Sequence, residues 1–176
     1  IVPDQNSSLN KKQQVENMFD GIAHKYDFLN RLLSFSIDVL WRKKVIQLLM
    51  PFKPVKILDV ATGTADLAIA LTALLPEKIT AIDISANMLE IGRQKVAKLG
   101  LNHSIELQKA DCENLPFEDQ HFDAVTVAFG VRNFENLDKG LNEIRRVLKV
   151  DGNLVILEFS KVKKAPIKQF YHFYFR

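Results

Sequence analysis

The chain has 176 residues, 47% hydrophobic and 26% charged, with a formal net charge of +3. That is enough for one domain with a real core, and so small a basic excess does not by itself point to nucleic acid or to a membrane face. The one cysteine, Cys112, excludes an internal disulfide framework and suits a reducing compartment; with no signal-like N-terminus and no apolar run of membrane-spanning length, a cytoplasmic location is expected.

Residues 1–9 are polar and read as a loose lead-in. From Asn10 the spacing of Val15, Met18, Phe19 and Ile22 predicts an amphipathic helix, weakened at Gly21. A mixed polar and aromatic stretch, Tyr26 to Ser34, follows. Asp38 is placed to cap a second helix that runs to Met50 and is ended by Pro51 and Pro54. Strand and helix then alternate. Strands are expected over Val55–Val60, Lys78–Asp83, Ile105–Lys109, Phe122–Val127 (read as wholly apolar) and Asn153–Phe159. Helices are expected over Asp66–Leu75, from a Ser85 cap to Leu99 with Gly100 closing it, and over Leu137–Leu148. Another helix is expected within residues 160–176. The alternation predicts an α/β fold, a doubly wound, Rossmann-like, mostly parallel sheet covered on both faces and preceded by helices.

The most informative corner is Leu58-Asp59-Val60-Ala61-Thr62-Gly63-Thr64-Ala65-Asp66. A strand feeds a tight turn of small residues, and a helix starts just beyond it, as in nucleotide-binding corners. A dinucleotide site wants three glycines so that the backbone can approach a pyrophosphate. Here Gly63 is the only one, between Ala61 and Ala65. S-adenosylmethionine has no phosphate to cradle, and Asp59 can help organise its ammonium end. A tight turn without any ligand is the third reading. Two later acids decide among them. Asp83 ends the second strand, where a carboxylate can accept both ribose hydroxyls. Asp111 follows the third, where it can accept from an adenine amino group while the Cys112 N–H meets a ring nitrogen. Acids at the ends of three successive parallel strands share the rim where such sheets bind ligands, and S-adenosylmethionine becomes the favoured cofactor. The expected cofactor-binding residues are Asp59, Ala61, Gly63, Thr64, Asp83, Asp111, Cys112 and Ala128. No metal is expected: His24, His103, His121 and His172 lack ligand spacing.

Three further stretches are more specific. They are Phe19-Asp20-Gly21-Ile22-Ala23 running into Tyr26-Asp27-Phe28-Leu29-Asn30, with Leu33-Ser34 and Trp41; Phe129-Gly130-Val131-Arg132-Asn133-Phe134; and Arg146-Val147-Leu148-Lys149 through Gly152 to Leu157-Glu158-Phe159-Ser160. With them the chain resembles a class I S-adenosylmethionine-dependent methyltransferase, and more narrowly the ubiquinone/menaquinone biosynthesis C-methyltransferase family, the demethylmenaquinone methyltransferases. The resemblance runs from about residue 15 to 160. Asp38 stands where the family usually has histidine, Leu29 where it often has Met, and Val150-Asp151 where it has Pro-Gly. The family chain continues past residue 176, so the resemblance implies that C-terminal strands are missing. It also implies one domain over residues 1–176: a helical lid segment (1–54), the cofactor-binding core (55–160) and the start of a C-terminal part (161–176).

The reaction implied by the resemblance is C-methylation of a lipid-tailed quinol, demethylmenaquinol to menaquinol and in some members a benzoquinol of the ubiquinone route. Arg132 and Asn133 follow the fourth strand on the same rim. Arg132 can stabilise a developing phenolate and Asn133 can hold a ring oxygen, while Tyr26 sits in the helical segment that could close over the cleft. These three are the expected catalytic residues, each with a plainer reading as a structural side chain. A lipid-tailed substrate raises the question of peripheral contact with the inner membrane face, through Phe28, Leu32, Leu33, Phe35 and Ile37 or through Phe170, Tyr171, Phe173 and Tyr174. Peripheral contact and a homodimer both stay open. Another small-molecule methyltransferase and a non-catalytic fragment with the same fold are the competing readings. Nucleic-acid methylation is disfavoured, since the sequence has no basic–aromatic patch and no loop for gripping a flipped base.

Overall fold

A computed structural model describes residues 7–33 and 37–158, with the backbone course alone for 28–33. The expected helix within 160–176, Phe159 and the aromatic end lie outside the described residues. Two helices, α1 (Lys11–Leu33) and α2 (Ile37–Leu49), precede β1 (Lys56–Val60), α3 (Asp66–Leu71), β2 (Lys78–Asp83), α4 (Ala86–Lys98), β3 (Ile105–Lys109), β4 (Phe122–Ala128), α5 (Leu137–Val147) and β5 (Leu148–Leu157). Single 3-10 turns follow α2, α3 and β4. All strand pairs are parallel and the order is β3-β2-β1-β4-β5. The order reverses between β1 and β4, which opens a crevice at the carboxyl ends of those two strands.

Strand alternation builds two cores. Ile57, Ile79, Ala81, Ile105 and Ala124 face one side, beneath Val45 and Leu49 of α2, Leu67, Ala68 and Leu71 of α3 and Val96 of α4. Leu58, Val60, Ile82, Val125 and Val127 face the other, beneath Ile144 and Val147 of α5. Residues that alternate faces and are buried on both make a central parallel sheet. No helix lies between β3 and β4. Leu115 and Phe117 of that loop cover the second face instead, and Phe117 meets Phe122 edge-on with ring centroids 5.1 Å apart.

Several boundaries differ from the sequence reading for identifiable reasons. α1 runs unbroken through Gly21 and Tyr26 to Leu33. A helix-interior glycine is unfavourable by about 1 kcal/mol relative to alanine, and here ion pairs and hydrogen bonds to α4 and the first turn hold the helix on both sides of it. Met18, expected on the buried stripe, is exposed, whereas Val15 and Ala23 are buried. Asp38 does not cap α2. It lies inside the first turn, buried, and pairs with Arg42 at 2.7 Å, one turn on. α3 tightens into a 3-10 turn at Thr72, with Leu75 left-handed behind it. β5 begins directly at Leu148, before the expected Asn153, and bulges between the pairs Phe122–Leu148 and Ala124–Asn153. β4 is not wholly apolar. Asp123 accepts from the Val55 and Lys56 N–H groups and pairs with Lys149, and Thr126 donates to Asp59.

The Ser85 cap stands as expected, with its hydroxyl accepting from the Met88 N–H at 3.1 Å, and Gly100 takes the left-handed conformation behind the helix at φ +69°. Among the described residues no helix is long and apolar enough to cross a membrane.

Candidate active site

A cleft, open to solvent, lies over the carboxyl ends of the strands. Its floor is the β1 turn and the ends of β2 and β4, and its roof is α1. Lys12, Val15, Phe19 and Tyr26 face the cleft, at the three-, four- and seven-residue spacings that share a helix face. Phe19 and Tyr26 meet edge-on at 6.0 Å.

The floor turn has an unusual backbone. Ala61, Gly63 and Ala65 are all left-handed, at φ +54°, +57° and +66°. Such a conformation is rare for alanine and costs about 1–2 kcal/mol, so the turn is held from outside. The Asp83 carboxylate accepts from the Gly63 N–H at 2.8 Å and, through its other oxygen, from the Ser85 N–H at 2.9 Å. Asp59 lies beneath the turn, 1% exposed, with one oxygen accepting from Thr62 and the other from Thr126, both at 2.6 Å. Burial pushes the Asp59 pKa up to about 6, against the pull of the two hydroxyls. Burial also raises Asp83, against the Ser85 and Gly63 N–H groups.

Gly130, after β4, closes the crevice from the far side. A Cβ there would stand 2.5 Å from the Ala61 Cβ and 3.2 Å from Val127 Cγ1. Neither neighbour is a flexible side-chain tip, so the backbone would have to move. Gly130→Ala is therefore expected to lower stability by about 1–3 kcal/mol and to weaken cofactor binding with it. A denaturation midpoint and an affinity both equal to those of the native chain would contradict this packing.

Of the residues singled out in the sequence, Tyr26, Ala61, Gly63, Asp83, Asp111, Cys112, Ala128 and Asn133 line this one cleft. Three are elsewhere. Asp59 supports the turn from below and is not part of the cleft lining. Thr64 is buried, and its hydroxyl donates to Asp27 of α1 and accepts from Lys95 of α4. Arg132 turns out of the cleft toward the end of β5, where it pairs with Glu158 at 3.1 Å and its side chain is 46% exposed.

The Asp111 carboxylate pairs with Lys12 at 2.6 Å and accepts from the Glu113 N–H at 2.9 Å. Burial, then Asp111 and Glu113, push the Cys112 thiol up to about 12, so it stays a neutral thiol. Residues missed in the sequence include Lys12, Glu113 and Phe129. Buried Glu113 accepts from the Glu135 and Asn136 N–H groups at 2.9 Å and shapes the rim. Phe129, left-handed at φ +57°, packs against Trp41 at 5.4 Å, so two of the three specific stretches meet here. Lys12 carries no signal in the sequence, whereas Phe129 opens the specific stretch Phe129–Phe134.

The lining includes Asp83, Asp111, Glu113 and Glu135 against one lysine, and that lysine is paired. Such a surface favours a cation and opposes a pyrophosphate. The residues present therefore fit S-adenosylmethionine, with its sulfonium and ammonium groups, and do not fit a dinucleotide. Among the described residues no group of His, Cys, Asp and Glu could hold a metal ion.

Comparison with known proteins agrees with this chemistry. The chain is 53% identical over 165 residues to a demethylmenaquinone methyltransferase of Bacteroides fragilis, covering 93% of this chain and 67% of that one. It is 47% identical to a ubiquinone/menaquinone biosynthesis C-methyltransferase UbiE of Geotalea daltonii, covering 94% and 71%. Among solved structures, a SAM-dependent methyltransferase from Aquifex aeolicus shares 30% identity at a TM-score of 0.58, over 63% of this chain and 60% of that one. The [4+2]-cyclase SpnF, 23% identical at a TM-score of 0.75 over 90% of this chain and 64% of that one, shares the fold alone. The chain thus spans about two thirds of the length of these relatives. The profile of the ubiE/COQ5 methyltransferase family matches residues 7–176, and the chain belongs to that family.

Proposed function

We propose that this chain is the cofactor-binding part of an S-adenosylmethionine-dependent C-methyltransferase of quinone biosynthesis. Its acceptor by relationship is a demethylmenaquinol, since relatives 53% and 49% identical are named demethylmenaquinone methyltransferases. The benzoquinol of the ubiquinone route is the second acceptor, from the UbiE relatives. The observation that carries the reading is the acid-lined cleft at the strand-order reversal, with Asp83 and Asp111 on its rim.

Asp83 would hold the ribose hydroxyls. Each of its oxygens takes one backbone N–H, and a carboxylate oxygen has a second lone pair to offer. Asp111 and the Cys112 N–H would meet the adenine, with Lys12 shifting to admit it. Ala61, Gly63 and Ala128 would let the methionyl part approach closely. When bound, S-adenosylmethionine supplies an electrophilic methyl group, and its acidic surroundings favour the cation. The acceptor's ring carbon becomes a nucleophile when the hydroxyl beside it ionises. Taking up that methyl group would leave S-adenosylhomocysteine; the ring would then regain aromaticity as its proton leaves the carbon and one returns to the oxygen, with one proton released to water overall. Asn133 would hold a ring oxygen, and Tyr26, overhead, would help exclude water. Much of the rate gain would come from orientation. Arg132 would act on the rim through Glu158. Helix α1 would act as the lid of the N-terminal segment (residues 1–54) over the cofactor-binding core (residues 55–160). Peripheral membrane contact fits a lipid-tailed acceptor, and a homodimer is compatible with this arrangement.

The reading is tested by transfer of a labelled methyl group from S-adenosylmethionine to reduced demethylmenaquinol. Asn133→Ala is expected to lower turnover by about 100- to 1,000-fold, the scale of one lost oxygen-holding contact, with cofactor affinity nearly unchanged. Arg132→Ala is expected to have the smaller effect. The reverse order would return Arg132 to the catalytic centre.

A further inference from the structure

Helix α1 presents two adjacent stripes. Val15, Phe19 and Tyr26 face the cleft. Glu16, Asp20 and Asp27, one residue further round, form the other and bind the body of the protein at three points. Glu16 pairs with Lys109 at the end of β3, at 2.6 Å. Asp20 accepts from the Ser85 hydroxyl and the Asn87 N–H at the start of α4. Asp27 makes the densest contact. One oxygen accepts from the Thr64 hydroxyl at 2.6 Å, and the other pairs with Lys95 at 2.6 Å. Lys95 also donates to Thr64 at 2.9 Å and pairs with Asp66 at 2.6 Å. The network continues from Asp66 to Arg42 of α2 at 3.6 Å. The side chains of Lys95, Asp27 and Asp66 are each no more than 31% exposed, so solvent screens this cluster less than an open surface pair.

This joins the lid helix to the cofactor turn at a residue within that turn. Tyr26 is the immediate neighbour of Asp27, and its ring carbon Cε1 stands 3.9 Å from where a Cβ on Gly63 would lie. With Asp27 fixed, the rotation of α1 is fixed, and Tyr26 can only face the cleft. We infer that Asp27 and Lys95, through Thr64, are positioning residues: they form a clasp that sets the closed position of α1 over the cofactor turn and aims Tyr26 into the cleft. The cofactor named here rests on the proposed function; the clasp itself does not.

The test uses the full chain with Asp27→Asn, Lys95→Met and Lys95→Arg. Two quantities are followed, amide hydrogen exchange and the rate at which S-adenosylhomocysteine dissociates. The clasp predicts that exchange at Ile22–Asp27 speeds up roughly tenfold in Asp27→Asn and Lys95→Met while β1 and β2 amides are unchanged. Dissociation of S-adenosylhomocysteine speeds up in parallel, and Lys95→Arg stays close to the native chain in both. Unchanged exchange in α1 would overturn the inference, as would an equal rise across the sheet, which would mark general destabilisation. Faster exchange in α1 with an unchanged dissociation rate would overturn the link to the cofactor turn. If the native chain fails to bind S-adenosylhomocysteine but α1 responds as stated, the clasp stands and the proposed cofactor falls.

Discussion

Replacing Asp83 by alanine is expected to weaken S-adenosylmethionine binding by about 2–3 kcal/mol, or roughly 30- to 150-fold, the scale of lost hydrogen bonds to a charged group. Two losses combine. The carboxylate proposed to accept from the ribose disappears. The Gly63 and Ser85 N–H groups also lose their acceptor, so the left-handed turn is no longer held from the β2 side. Asp83→Asn keeps one acceptor oxygen and should fall between the alanine variant and the native chain. Calorimetry with S-adenosylmethionine reads all three proteins. An alanine variant with native affinity would remove Asp83 from the site.

The second large effect is on stability and its pH dependence. Asp59 is buried, and its pKa rises from an ordinary 3.8 to about 6. An acid whose folded-state pKa is raised binds its proton more tightly in the native chain. Its contribution is therefore most favourable below pH 4 and is lost as pH rises through the folded-state value. From 3.8 to about 6, at about 1.4 kcal/mol per pH unit, the loss is about 3 kcal/mol. Asp59→Asn cannot titrate, yet it has the same shape and can still accept from Thr126. Its unfolding free energy relative to the native chain is thus expected to climb by about 2 kcal/mol between pH 4 and pH 7. Denaturant titrations of both proteins across that range measure it. Parallel profiles would show that Asp59 ionises in the folded chain at its ordinary pKa.

These two acids also show what the sequence could and could not reveal. Both end strands and both looked like ligand groups. Asp83 is the last residue of its strand and faces the cleft. Asp59 stands one residue before the end of β1, opposite Thr126 in the register with β4. Its role under the turn depends on β4 lying beside β1, and that neighbour comes from 67 positions further along the chain. Local signals served well where the physics is local. The Ser85 cap, the Gly100 stop and the bounds of β2 and β3 all lie where turn chemistry and apolar patterning put them. They failed where distant contacts decide. α1 passes through Gly21 because Asp20 and Asp27 are anchored on α4 and the β1 turn. Arg132 pairs with Glu158, just beyond the end of β5, a contact that no local pattern announces. Asp27 lies inside a family stretch, but an acid on a helix is usually a solvated surface group, and only the contacts with Thr64 and Lys95 set it apart.

The acid-lined crevice and the family relationship together lead to methyl transfer onto a ring carbon, and one measurement bears on that claim most directly. The native chain is incubated with S-adenosylmethionine carrying a ¹³C-methyl group and with reduced demethylmenaquinol, and the product is read by NMR. The account predicts a new methyl carbon bonded to the ring carbon beside a hydroxyl, formed together with S-adenosylhomocysteine. A label on a ring oxygen, or no label on the ring from a chain that binds the cofactor, would contradict it.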